Sequence, residues 1–402
     1  SFAPIVKDNK ATAANLALVV EFSDSPAESF YDKAYSYPTF YATNFEHLVA
    51  NINAEPSSSI SRTYRSYLRE ISKGKFDVMT YFPQAYDDGT HLRIRVSMSS
   101  RDYIRLNDDS TLIKQAIAQL MNARPDLDAS IFDVDGDGYV DNVLIIADLP
   151  SDVEITAHAN TDANSTTVGS GSTARRARAL TAVNGGGTSG GGDRFGLTGP
   201  SVAAHERLHT IGAADLYRNS QYGASGDPVK NWDVMASGGV FSWPLAFTRE
   251  LVGWTKIPEV SISSSGSSFT LYAPAVSDDT LGSKPQAIKI KTPLSSSEYF
   301  VIEYRRRGNT NTDYDKYIGS SGLIVYRVNE QYANQGNLYG KDFVYVYRPG
   351  EASLTASGGD INRAAICAGS YTTQSSLSGS SITLNSSIGS LDPNTDITKG
   401  AI

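Results

Sequence analysis

Residues 203–217 read AAHERLHTIGAADLY, and the reading of this stretch decides the rest. On a helix, positions four apart share a face, so His205 and His209 aim both imidazoles at one ion. Glu206 falls one residue along, within reach of a water on that ion. Zinc suits the arrangement, because it accepts imidazole and carboxylate ligands and keeps one tetrahedral position open for water. Gly212 lets the chain turn sharply after the helix, and Asp215, six residues after His209, returns as a third ligand. The chain has only five histidines, at 47, 91, 158, 205 and 209, and placing two of them at this spacing argues against coincidence.

Working outward, Gly199 and Pro200 read as the N-cap and first position of a helix that runs through SVAAHERLHTI and stops at Gly212. The glycine-rich segment before it, residues 159–199, offers few groups that fill a core and is expected to be mobile or to line a cleft as a loop. Further upstream, Leu16 to Phe22 reads as a buried strand and Val143 to Leu149 as another. Between them, Ile60, Tyr64, Tyr67, Leu68 and Ile71 recur at helical spacing up to a stop near Gly74. A second helix starts after Asp109 or Ser110, with Leu112, Ile113, Ala116, Ile117, Leu120 and Met121 on one side. Strands separated by helices imply a sheet with helical cover.

Beyond Thr255 the texture changes. SFTLYAP, AIKIKT, YFVIEYR, GLIVYRV and FVYVYR alternate between apolar and polar residues and are separated by Ser, Gly and Asn, which is the pattern of an antiparallel β domain. The tail from Ser353 to Ser390 is expected to form short strands and loops. A boundary near 256 therefore divides an α+β domain at 1–256, with a mixed sheet and the HExxH helix, from a β-rich domain at 257–402. The length of 402 residues, 40% of them hydrophobic, also favours two cores.

Composition excludes several classes. With 35 Lys and Arg against 43 Asp and Glu, the net charge of −8 argues against a non-specific nucleic-acid surface. The lone cysteine, Cys367, rules out an intrachain disulfide. No apolar run approaches the ~20 residues that cross a bilayer. The start, SFAPIVKDNK, has no initiator Met and no basic region followed by an apolar stretch, so a targeting segment is expected to have been removed.

A second cation site is expected in DVDGDGYVD, residues 133–141. Asp133, Asp135 and Asp137 alternate, Gly138 stands where the chain bends, and Asp141 lies beyond. Carboxylates so close repel one another unless a cation neutralises them, and hard oxygen ligands favour calcium. The spacing matches the front of an EF-hand loop, in which Tyr139 contributes its backbone carbonyl, although the usual final glutamate is replaced by Leu144. The plainer alternative is a solvated acidic turn.

HERLHTIGAADLY, followed by NWDVMASGG at 231–239, resembles the immune inhibitor A family of secreted bacterial metallopeptidases, within the metzincin superfamily. SRTYRSYLREISKGKFDV (61–78), FDVDGDGYVDNVLIIAD (132–148), RELVGW (249–254) and YDKYIGSSGLIVYRVNE (314–330) extend the resemblance patchily over residues 16–330. It implies a metzincin-like zinc peptidase domain with His205, His209 and Asp215 as zinc ligands and Glu206 as catalytic base. It also implies Met235 as the methionine of the turn beneath the metal, together with secretion from a bacterium as a zymogen. The chain departs from the family at Arg207 and Leu208, where an aromatic and a glycine are usual, and at Tyr326 and Arg327, where an aromatic and histidine are usual. Trp232 and Trp243 read as packing aromatics, with Trp243 also a candidate lining of a substrate pocket. Asp233 reads as a local brace of the turn.

The expected activity is zinc-dependent endopeptidase hydrolysis of protein or peptide substrates. The rival is a non-catalytic surface or adhesion protein that retains the scaffold. An intact Glu206 argues against that rival, because holding a metal requires the ligands and not the base.

Overall fold

A computed structural model describes residues 1–27, 45–57, 60, 62–150, 152–163, 165–186, 199–218, 227–260, 269–274, 284–291, 295–309, 313–338, 341–348 and 360–366. The architecture is mixed α+β with several sheets, and the chain divides into two compact units, Ser1–Ile211 and Gly212–Ile402.

The first unit is built on β1 (Ala13–Glu21), whose nine residues are all buried. A strand covered on both faces reads as a continuous apolar run, and LALVV does so. β1 runs parallel to β2 (Val78–Tyr81), β3 (Ile94–Arg95) and β4 (Val143–Asp148). The sheet continues from β4 through its parallel neighbour β8 (Leu180–Gly186) to β5 (His158–Asn160), which closes it antiparallel. β6 (Thr166–Val168) and β7 (Arg175–Ala177) form a separate antiparallel pair. Segment 159–186 is thus strand-bearing, which corrects the expectation of a loop there. Leu180 and Ala182 alternate into the core, so the segment does carry the apolar groups a strand needs. Residues 187–198 lie outside the described residues.

Helices cover both faces of this sheet. Leu16, Leu18 and Val20 share a core with Leu112, Ile113, Ala116, Ile117 and Leu120 of α4 (Asp109–Ala123), each Leu, Ile or Val side chain contributing roughly 1.5–3 kcal/mol on burial. α4 begins at a cap, Asp108 Oδ1 accepting from Thr111 N at 2.9 Å. A short helix, α3 (Ser100–Leu106), precedes it. On the opposite face α1 (Phe45–Asn53) packs on α2 (Tyr64–Ile71), and α2 packs on α5 (Gly199–His209). Thr63 and Ser66 cap α2 reciprocally, which starts it after Ile60 and not at it. It ends at Ile71, and Gly74 takes a φ of +79° just beyond.

The face toward α2 carries an unusual polar ladder. Asn15 Nδ2 donates to Tyr64 Oη and to Thr80 Oγ1, both at 3.0 Å, and Asn142 Nδ2 donates to Asn15 Oδ1 and to Thr181 Oγ1, also at 3.0 Å. All five residues are buried.

The second unit contains α6 (Ala246–Leu251) and a five-stranded sheet. Its strands are β9 (Glu259–Val260), β10 (Ala287–Lys291), β11 (Glu298–Arg305), β12 (Gly322–Asn329) and β15 (Val344–Val346), antiparallel except where β9 meets β10. β13 (Asn337–Leu338) and β14 (Lys341–Asp342) pair beside it. Four of the five expected alternating runs are strands. SFTLYAP is not one over its described residues, and Phe269 is exposed. Of the Ser-rich tail only residues 360–366 are described, and they hold a short 3-10 turn, Ile361–Arg363.

The change of texture near residue 256 falls inside this second unit. Residues 212–256 belong with the β strands because buried polar groups hold them there. Arg305 pairs with Asp315 at 2.6 Å and donates to Trp232 O at 2.7 Å and Trp243 O at 2.8 Å. Glu303 Oε2 accepts from Ala246 N at 2.8 Å and from Tyr326 Oη at 2.9 Å.

Candidate metal centres

Among the described residues, two groups of side chains in the first unit could hold a metal ion. The first is on α5. Val202, Ala203, Ala204 and Leu208 are buried and seat the helix, which packs on β8 and α2. His205 and His209 lie on one face with ring centroids 4.9 Å apart and planes at 85°. One ligand atom from each of His205, Glu206 and His209 falls within 4.8 Å of the others. His205 and Glu206 are buried and His209 half-buried. Two imidazoles and a carboxylate so converged fit an ion that takes mixed nitrogen and oxygen ligands. Arg207, between them in sequence, turns the other way. It is buried, donates to the Thr210 hydroxyl, and places its guanidinium carbon 5.3 Å from the Phe76 ring centroid.

The remaining residues of the expected zinc site belong to the second unit. Asp215 is half-buried, and its Oδ2 accepts from Tyr217 Oη at 3.0 Å. Its neighbourhood is firmly held. Asn337 Nδ2 donates to Leu216 O at 2.7 Å, and Arg218 pairs with buried Asp342. Gly336, at φ +66°, brings its backbone so close to Asp215 that a Cβ there would meet Asp215 O at 2.6 Å. Met235 is fully buried, and its backbone carbonyl accepts from Leu216 N at 2.9 Å. Asp233 braces this turn, accepting from Met235 N at 2.7 Å, Leu245 N at 2.8 Å and Thr248 Oγ1 at 2.5 Å. Full burial pushes the Asp233 carboxyl up to about 6 against the pull of those three donors. Trp243 is 2% exposed, its ring edge-on to Tyr314 with centroids 5.7 Å apart.

The second group is the acidic loop. Asp133, Asp135 and Asp141 place one carboxylate oxygen each within 4.8 Å of the others. Asp137 is not in this group; its Oδ1 accepts from Tyr139 N at 2.8 Å. The bend expected at Gly138 has φ +91°, and Gly136 adds a second at +77°. Gly138 N and Arg175 Nε both donate to Asp133 Oδ2, whereas Asp133 Oδ1 is buried with no hydrogen-bond partner. Burial pushes the Asp141 carboxyl up to about 6, although Ala14 N, at 2.7 Å from Oδ2, and Val134 N, at 3.1 Å from Oδ1, donate to it. Converged hard oxygens, one of them orphaned, fit a hard divalent cation.

Sequence reasoning missed a third feature. On β5, which packs on α5, His158 Nε2 lies 3.0 Å from Asp109 Oδ1 and 3.2 Å from Tyr103 Oη. Asn160 Nδ2 donates to Asp109 Oδ2 at 2.8 Å, and His158 Nδ1 reaches Thr156 O at 2.8 Å. Burial opposes the charged imidazolium, but the bonds to Asp109 and Thr156 O outweigh it, and the charges of Asp109 and Glu206 add to the upward shift of His158. The only sequence signal was the scarcity of histidine.

Compared with models of known protein families and with curated proteins, the chain matches none. No helix among the described residues is long and apolar enough to cross a membrane.

Proposed function

We propose that this chain is a secreted, zinc-dependent endopeptidase with the resembled metzincin fold, acting on protein or peptide substrates. The observation that carries the reading is the convergence of one ligand atom each from His205, Glu206 and His209 on α5. His205 and His209 would hold the zinc, with Asp215 as third ligand and Met235 in the turn beneath. Zinc when bound supplies Lewis acidity toward a carbonyl and eases deprotonation of water. Glu206 does the proton work. Its carboxylate takes a proton from the attacking water as the oxygen adds to the scissile carbonyl carbon, and returns it to the amine nitrogen as the C–N bond breaks. The acidic loop, through Asp133, Asp135 and Asp141, would hold calcium, since all its side-chain ligands are hard oxygens.

The test is Glu206→Gln, which keeps size and hydrogen bonding and removes the base. The variant should fold, retain its zinc and still bind a hydroxamate inhibitor, while cleavage of a peptide library falls by roughly 10²-fold or more. Cleavage as fast as wild type overturns the role of Glu206. A zinc-loaded wild type that cleaves no peptide favours the non-catalytic scaffold.

A further inference from the structure

Asp133 is the most enclosed carboxylate of the acidic loop, its side chain 1% exposed. Its two oxygens stand in different surroundings. Oδ2 accepts from Gly138 N at 3.2 Å and pairs with Arg175 Nε, whereas Oδ1 is buried with no hydrogen-bond partner. A buried carboxylate with one bare oxygen calls for a further positive group on that side. Among the described residues Arg175 is the side-chain cation that pairs with Asp133, and no ion pair reaches Asp135 or Asp141.

Arg175 is held in place from behind. Its Nη1 donates to Ala174 O at 2.9 Å and to Ser172 O at 3.3 Å, backbone carbonyls of the turn that leads into β7. The loop itself is fastened to β7 by main-chain bonds. Tyr139 and Arg176 form a parallel bridge, Val140 N donating to Arg176 O at 2.9 Å and Arg176 N to Gly138 O at 3.2 Å. Just past the strand, Arg178 places its guanidinium carbon 4.3 Å from the Tyr139 ring centroid. The loop therefore keeps its seat on β7 without the Arg175–Asp133 pair, and the charge of Arg175 acts chiefly on the carboxylates.

We propose that Arg175 is a resident counter-cation of the acidic loop, holding Asp133 Oδ2 while Oδ1 is left for a divalent cation shared with Asp135 and Asp141, and that its charge lowers the affinity of the loop for that cation. Affinity in oxygen-ligand loops follows the charge of the ligand set, and Arg175 cancels part of it. Guanidinium and cation draw on one carboxylate, so each weakens the other's hold. The coupling is reciprocal, because the factor by which Arg175 lowers cation affinity is the factor by which the bound cation loosens the Arg175–Asp133 pair. This inference rests on the calcium reading of the loop and is independent of the peptidase reading.

The test is calorimetric titration of the full chain with calcium chloride, for wild type, Arg175→Met and Arg175→Lys. Arg175→Met keeps bulk and removes charge, and should bind calcium about fivefold or more tighter than wild type. Arg175→Lys keeps a charge beside Asp133 and should stay within about twofold of wild type. An arginine that merely orients Asp133 gives the opposite result, since a carboxylate left loose is a poorer ligand. Equal or weaker binding by Arg175→Met overturns the proposal and leaves the calcium site standing, as does a gain in Arg175→Lys equal to that in Arg175→Met. Binding by Arg175→Met alone supports the proposal, and absence of binding in all three chains overturns it together with the calcium reading. Should Arg175→Met not fold, Arg175→Gln replaces it. If neither neutral variant folds in chelator, recovery of a cooperative melting transition on adding calcium supports the counter-cation role. No recovery makes Arg175 a packing residue and overturns the proposal.

Discussion

His158 Nε2 and Asp109 Oδ1 lie 3.0 Å apart, joining the edge strand of the first sheet to the first turn of α4. The pKa of His158 is raised above 6.5, so its contribution to stability is complete below 6.5 and is lost as pH rises through the folded value. Asp109 is buried, which favours the acid, but three donors outweigh this and hold it below 3.8. Its contribution is complete above 3.8 and is lost as pH falls through the folded value. The pair is therefore whole between about pH 4 and 6.5. Melting temperatures of wild type and His158→Gln should differ most in that window and converge above it. A difference that stays constant up to pH 9 would show that the imidazolium plays no part.

Metal analysis should find about one zinc per chain, with His205→Ala and His209→Ala each losing it, because three protein ligands are the least such a site ordinarily uses. Full zinc in either variant excludes the ligand assignment. Asp215→Ala should retain only weak binding, read by competition with a chromogenic chelator.

The turn at Met235 depends on one carboxylate. Asp233→Ala leaves the Met235 and Leu245 amides and the Thr248 hydroxyl without their buried acceptor, at a cost of about 3 kcal/mol or more. The midpoint of urea unfolding should fall accordingly. A midpoint indistinguishable from wild type would mean that water replaces the carboxylate.

Gly336→Ala tests how Asp215 is held. A residue with a side chain is strained at φ +66°, and its Cβ would press on Asp215 O, so the chain should lose about 1–3 kcal/mol. Zinc affinity should fall with it while zinc-independent folding persists. Unchanged zinc affinity in a destabilised Gly336→Ala would separate the backbone contact from metal binding.

Much of the first unit was legible because its signals are local. Leu16 to Phe22 as a buried run, the stripe from Leu112 to Leu120, and the four-residue step from His205 to His209 each depend on a single element. What was hidden depends on pairing. The strand ending at Gly186 reads as loop, since its glycines mask the alternation of Leu180 and Ala182. SFTLYAP has the alternation of a strand, but alternation does not supply a neighbour with which to pair. The cluster of Tyr103, Asp109, His158 and Asn160 exists only because β5 docks on β8. The division at Gly212 depends on Arg305, Glu303 and Asp315 reaching residues 232–246, which no window around residue 256 contains.

The position of β1 has a consequence for the birth of the chain. Its nine buried residues leave the ribosome ahead of every strand they pair with: Ala13 pairs with Val78, Leu16 with Val143, and the far side of β4 waits for Leu180. Parallel pairings of this span close late and slowly, because the entropy of the intervening loops must be overcome before any contact repays it. Until synthesis passes Asp148, the longest strand of the unit lacks its β4 neighbour and is an adhesive segment, exposed to whatever else is unfolded nearby.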